Sequence, residues 1–151
     1  GQQISVKAAQ SVWDRFSVLC KRLTPAAVLK LKVDDMRAAG LSVRKVEYLV
    51  DLAVHFSAGT VHVKDWQEMD DEAIIDELVA IRGIGRWTAE MFLIFHLGRL
   101  DVWPVDDLAV RRGWDNLHGN SEPIKPKALH LLGEPFAGMR SVVAWYCGRA
   151  S

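Results

Sequence analysis

Two neighbouring carboxylates, Asp106 and Asp107, follow Asp101-Val102-Trp103-Pro104-Val105 and open a stretch whose apolar side is Leu108, Val110 and Trp114. Aspartate is favoured at a helix N-cap because its carboxylate accepts backbone N–H groups that the first turn leaves unpaired. One aspartate is enough for that, so Asp106 is expected to cap and Asp107 to be left over. A carboxylate at a helix N-terminus is held in its ionised form by the helix dipole, and that form stabilises developing positive charge. Upstream, the string Leu78-Val79-Ala80-Ile81-Arg82-Gly83-Ile84-Gly85-Arg86-Trp87-Thr88-Ala89 sits between two helical patterns. Gly83 and Gly85 permit a tight reversal with positive φ, and Ile84 between them can plug into the core. The helix that follows then presents free N–H groups, which together with its dipole make an anion site for a phosphate oxygen. Taken singly, the turn reads equally as an ordinary helix–helix connection, and the aspartates as plain capping.

These residues need helices to hold them, and the dominant hydrophobic period is helical. Val43, Val46, Leu49, Val50, Ala53 and Phe56 recur at three and four residues. Thr24-Pro25 reads as an N-cap followed by proline at the first helical position, and Asp34 as the cap of a short helix that Gly40 ends. Helices are predicted near 4–22, 25–31, 35–39, 42–57, 71–80, 87–97, 106–117, 126–132 and 136–149. The one β-like run, Thr60-Val61-His62-Val63, is too brief to nucleate a sheet. With no internal repeat, low-complexity stretch or long linker, residues 1–151 are expected to form a single compact all-α domain. Short helices packed at varied angles leave grooves for a site built from several helix ends.

Composition narrows the chemistry. A chain of 151 residues, half hydrophobic and a quarter charged, belongs with globular proteins. Its 19 basic residues balance 19 acidic ones, so any nucleic-acid contact must be local rather than through bulk charge. Cys20 and Cys147 are far apart and read as buried small hydrophobes. His55, His62, His96, His118 and His130 show no metal-ligand spacing, which argues against a metal-dependent hydrolase. No run of about 18 apolar residues spans a bilayer and no secretory leader opens the chain, so an intracellular location is expected.

Together, the hairpin string and the aspartate-bearing helix resemble the helix-hairpin-helix superfamily of DNA glycosylases, in which a Gly/Pro-rich connection leads from the hairpin to an essential aspartate. The C-terminal Arg140-Ser141-Val142-Val143-Ala144-Trp145-Tyr146 and the opening Gly1-Gln2-Gln3-Ile4-Ser5-Val6-Lys7-Ala8-Ala9 resemble the closing and first core helices of its 3-methyladenine DNA glycosylase II branch. The resemblance implies a compact multi-helix domain that hydrolyses the N-glycosidic bond of alkylated purines, with Asp107, 20 residues after Trp87, as the catalytic carboxylate. Such a base must leave the stack to be cut. Trp87, Trp103, Trp145 and Tyr146 are then expected in the base pocket, with Trp13, Trp66 and Trp114 as packing residues.

By the same resemblance Gly83, Ile84, Gly85, Arg86 and Thr88 grip DNA without reading sequence, and Gln3 lies where a side chain enters the duplex. Arg82, Arg111, Arg112 and Arg140 join Arg86 as candidates for phosphate contact. The partner is damaged double-stranded DNA, bound by a monomer located with DNA and away from membranes. The resemblance implies no required cofactor, with room for a monovalent cation at the hairpin carbonyls. Bifunctional members carry a lysine directly after the hairpin for Schiff-base chemistry; Trp87 stands there, which implies a monofunctional enzyme and a stacking surface for a cationic base. The chain departs from the branch in beginning at the Gly-Gln-Gln stretch, without N-terminal residues found in relatives. It departs again at Gly148, where many members carry a tryptophan, and this opens one side of the pocket. A non-catalytic DNA-binding module using the same hairpin is the alternative reading.

Overall fold

The chain is described by a computed structural model over residues 5–20 and 22–151, and every regular element among these is helical. Helix α1 (Val6–Leu19) is capped by the Ser5 hydroxyl, which accepts the Ala8 N–H. Thr24 caps α2 (Pro25–Val28) in the same way, with proline at its first position as expected. In α3 (Val33–Ala38) the cap is Lys32, without a side-chain bond. Asp34 lies instead in the first turn with Asp35, where carboxylates favourably face the dipole. The amphipathic helix α4 (Val43–Ala58) starts on Ser42 and ends at Gly59 with φ +71°. There follow α5 (Asp71–Val79), α6 (Arg86–Phe95), α7 (Leu108–His118), α8 (Pro126–Leu132), a 3-10 turn at Glu134–Phe136 and α9 (Arg140–Arg149). The last helix is shorter than predicted because Gly138, at φ +89°, separates it from the 3-10 turn.

Contacts gather the chain into two compact units, one running to Glu68 and including Glu77–Ile84, the other Met69–Asp76 with Gly85–Ser151. The first unit is centred on Phe16, Cys20, Val28, Met36, Val46 and Ala53, so α1 to α4 each contribute apolar residues to, or at the edge of, one core. Glu77 accepts the His62 backbone N–H at 3.1 Å and the Trp66 indole N–H at 3.3 Å, which pins the 60–66 segment as a turn.

The second unit packs Val110 and Trp114 of α7 against Ala144 and Cys147 of α9, with Trp103 and Leu129 completing the cluster. Helices α7 and α9 meet at Gly113, where an added Cβ would lie 1.7 Å from the Cys147 carbonyl oxygen. Burial pushes the Cys147 thiol pKa up. The segment that leads into α7 is braced from α9. Asp101 takes two bonds of 2.7 Å from the Arg140 guanidinium and one of 2.8 Å from the Gly138 N–H. The Arg140 bonds, the largest influence, hold the Asp101 carboxyl down to about 2. Next to it, the Val102 N–H donates to the Ser141 hydroxyl at 2.9 Å, and that hydroxyl donates to the Arg99 carbonyl at 2.7 Å.

Candidate active site and nucleic-acid interface

Pro104 starts a turn in which the Asp107 N–H donates to the Pro104 carbonyl at 3.0 Å, and this moves the start of α7 to Leu108. The N-cap is therefore Asp107, contrary to the expectation for Asp106, which is exposed and caps nothing. Asp107 Oδ1 accepts the N–H groups of Ala109 at 2.7 Å and Val110 at 3.1 Å. Its other oxygen, Oδ2, accepts the indole N–H of Trp87 in a short hydrogen bond. One carboxylate thus caps the helix and keeps an indole-held oxygen beyond it. Ionised aspartate has acceptor sites to spare after three such bonds.

Asp107 lines a pocket of about 250 Å³ whose other walls include Ile94, Phe95, Pro104, Ala144 and Trp145. Trp145, 44% exposed, lines this pocket beside Asp107. Trp103 does not. It is 8% exposed, edge-on to Trp114, and its indole donates to the Leu129 carbonyl at 2.9 Å, so it is a core residue whose polar atom found a buried acceptor. Tyr146 stands outside the pocket wall, exposed and edge-on to Trp145 at 5.0 Å. Trp87 is 43% exposed and reaches the pocket through Asp107. Trp66 and Trp114 are buried as expected, whereas Trp13 is half-exposed on the first unit beside an apolar hollow.

The hairpin has one left-handed residue rather than two. Gly83 has φ +89°, while Gly85 is extended at φ −90° and caps α6 without any side-chain bond. The first-turn N–H groups of Arg86, Trp87 and Thr88 are left for an outside acceptor such as phosphate. Ile81, almost fully buried, is the plug that fixes the turn; its carbonyl accepts the Ile84 N–H at 3.1 Å, and Ile84 is only half-buried. Among the described residues no group of three or more His, Cys, Asp or Glu could hold a metal.

Most of the candidate arginines are already neutralised. Arg82 pairs with Glu47 at 3.1 Å and Arg140 with Asp101. Arg86 binds both oxygens of Glu72 and reaches Glu90 at 3.0 Å. Glu90 is 5% exposed, and burial pushes its carboxyl pKa up against the pull of Arg86. Arg111 is folded back toward the Ile124 carbonyl at 3.5 Å, with its Nε buried and unpaired. Arg112 is exposed. Arg82, Arg86 and Arg140 are thus engaged within the protein, and the unpaired donors at the start of α6 are its backbone N–H groups. Gln3 lies outside the described residues.

The two glycines are expected to behave differently when changed to alanine. A Cβ at Gly83 would lie 2.3 Å from the Tyr48 ring, on a backbone already at positive φ, so Gly83→Ala is expected to cost about 1–3 kcal/mol of stability. At Gly85 a Cβ meets nothing within 4 Å, so Gly85→Ala should change stability by less than about 0.5 kcal/mol. With the hairpin read as a phosphate grip, Gly85→Ala is nonetheless expected to weaken binding to damaged and undamaged duplexes alike. Thermal melts and fluorescence anisotropy check both; Gly85→Ala binding duplex as well as the parent would reduce the hairpin to a structural turn.

A Gly-Ile-Gly turn leading into a helix, followed by a carboxylate that lines a pocket, is the arrangement of a helix-hairpin-helix protein. The chain belongs to the HhH-GPD superfamily of base excision DNA repair proteins, whose family model matches residues 1–137. It is 37% identical over 156 residues to DNA-3-methyladenine glycosylase 1 of Schizosaccharomyces pombe, covering 99% of this chain and 68% of that protein. A solved structure of the 3-methyladenine DNA glycosylase from Schizosaccharomyces pombe in complex with abasic DNA superposes with a TM-score of 0.84. There the identity is 34%, over 98% of this chain and 74% of the other. A DNA-3-methyladenine glycosidase from Bacillus halodurans superposes with a TM-score of 0.91 at 36% identity, over 99% of this chain and 70% of the other.

Proposed function

We propose that this chain is a monofunctional DNA glycosylase of the 3-methyladenine DNA glycosylase II branch. It hydrolyses the N-glycosidic bond of alkylated purines in damaged double-stranded DNA, acts as a monomer, and leaves an abasic site. The observation that carries this reading is the hydrogen bond from Trp87 to Asp107. It joins the residue directly after the hairpin to the carboxylate, at the position where bifunctional members of the superfamily hold a lysine. The names of the relatives as 3-methyladenine glycosylases support the substrate class.

In this reading Asp107 does the chemistry with water. As the bond from the sugar to the base breaks, its electron pair leaves with the base and positive charge builds on the deoxyribose. The carboxylate opposes that charge from a fixed position, because two backbone N–H groups hold Oδ1 and an indole holds Oδ2. Water then adds to the sugar and releases one proton to solvent, which leaves the hydroxyl of the abasic site. Trp87 contributes its exposed ring as a stacking surface, and the hairpin amides hold a phosphate. A monovalent cation on the hairpin carbonyls would add positive charge beside that phosphate and take no part in bond breaking.

No lysine lies between Lys64 and Lys125, so neither the hairpin nor α7 offers an amine for an imine intermediate. The test is turnover on a lesion-bearing duplex with borohydride present. Alkali-labile sites without spontaneous nicks and without a covalent adduct are expected. A trapped protein–DNA adduct, or nicks formed without alkali or heat, would overturn the monofunctional reading. The two cap bonds of Asp107 are also what a non-catalytic DNA-binding module would need, and that reading requires that no base is released at all.

A further inference from the structure

The pocket beside Asp107 contains a second charged side chain that the reaction described above does not use. Arg149, the last residue of α9, lines the pocket and places its guanidinium carbon 5.1 Å from the centroid of the Trp145 ring. Gly148 before it has no side chain, and a Cβ there would meet nothing within 4 Å, so that side of the wall is open. Among the described residues no carboxylate forms an ion pair with Arg149, in contrast to Arg82, Arg86 and Arg140. The guanidinium therefore lies over the Trp145 ring in a pocket that the Asp107 carboxylate also lines.

The geometry points to Arg149 as a specificity-determining residue that biases the pocket toward neutral modified purines, such as ethenoadenine or hypoxanthine, and against cationic N-methylated ones. The inference rests on the reading of this pocket as the base site. A cationic base gains from stacking on an indole because the ring face is negative, and on Trp145 that attraction is already satisfied by the guanidinium. Such a base would also meet a like charge, weakened by solvent because Arg149 is exposed. A neutral purine meets no repulsion, and its ring nitrogens or carbonyl can accept from the guanidinium, which is always protonated and has five N–H donors.

Leaving-group chemistry points the same way. When the N-glycosidic bond of a cationic base breaks, the electron pair neutralises the base, which then departs without help. When the base is neutral, the same electron pair makes it anionic until a proton arrives from solvent. A guanidinium donor at that edge stabilises the charge as it develops. Arg149 thus assists the harder reaction and opposes binding for the easier one.

The test compares single-turnover base release from three duplexes that differ only in carrying 7-methylguanine, ethenoadenine or hypoxanthine. It uses the parent chain, Arg149→Gln and Arg149→Lys, with circular dichroism to verify folding. Arg149→Gln is expected to shift the ratio of rates roughly 10-fold toward 7-methylguanine, while Arg149→Lys, which keeps the charge, retains most of the parent ratio. Base release with an unchanged ratio in Arg149→Gln would overturn this inference and leave the glycosylase reading intact. Equal losses on all three duplexes, with weaker binding of undamaged DNA, would overturn it by making Arg149 a phosphate contact. Release from none of the three by the parent chain would remove the glycosylase reading and this inference with it.

Discussion

Asp107→Asn is expected to lower base release by roughly 100-fold or more while leaving the protein folded and able to bind duplex DNA. The two effects separate because the carboxylate has two separable duties. Asparagine caps helices about as well as aspartate, so its carbonyl oxygen can keep the Ala109 and Val110 N–H bonds. Its amide NH2 would then face the Trp87 indole N–H, donor against donor, at a cost of about 1 kcal/mol. Charge is lost altogether, and an uncharged amide cannot oppose the positive charge that builds on the sugar. Asp106→Asn serves as the control, since that side chain is exposed and caps nothing. Near-parent release by purified Asp107→Asn, with a melting curve to verify folding, would remove Asp107 from the catalytic role.

The largest expected effect on stability comes from Gly113→Ala. Alanine in a helix interior is ordinarily better than glycine by about 1 kcal/mol, so propensity alone argues for a more stable protein. Packing argues the opposite and wins. The new methyl would sit 1.7 Å from the Cys147 carbonyl oxygen and 2.4 Å from its carbon, and these are backbone atoms of a packed helix that cannot rotate away. Forcing α7 and α9 apart would loosen the cluster of Trp103, Trp114 and Leu129 as well. A net loss of about 3 kcal/mol is expected, which in a chain of this size lowers the melting temperature by roughly 6–12 °C. Gly148→Ala, also in α9 but with open space around it, should raise stability by a few tenths of a kcal/mol up to about 1 kcal/mol. Equal melting temperatures for the two variants would contradict the close approach of the helices.

The helical period of α4, the Thr24-Pro25 start and the hairpin were legible in the sequence because each is decided by neighbours within a few residues. The spacing from Trp87 to Asp107 was legible too, and the structure brings those side chains into contact. Which aspartate caps α7 was not, because the answer depends on the turn at Pro104 that delays the helix by two residues. Trp103 and Trp145 look alike in sequence. Packing against Trp114 and a bond to the Leu129 carbonyl, 26 residues away, make the first a core residue. Arg86 read as a phosphate contact until Glu72, on another helix, claimed its guanidinium. Gly113, Glu90 and Arg149 were missed for the same reason. Their roles are set by elements distant in sequence, although a glycine inside a helical pattern is itself a hint of close packing.

The most direct test of the central claim is to incubate the purified chain with duplex DNA carrying an alkylated purine and identify what is set free. Chromatography with mass spectrometry would show the free modified base in the supernatant, in amounts equal to the alkali-labile sites left in an otherwise intact strand. Tight binding to that duplex with no base released at any enzyme concentration would contradict the claim and leave a DNA-binding module whose Asp107 only caps a helix.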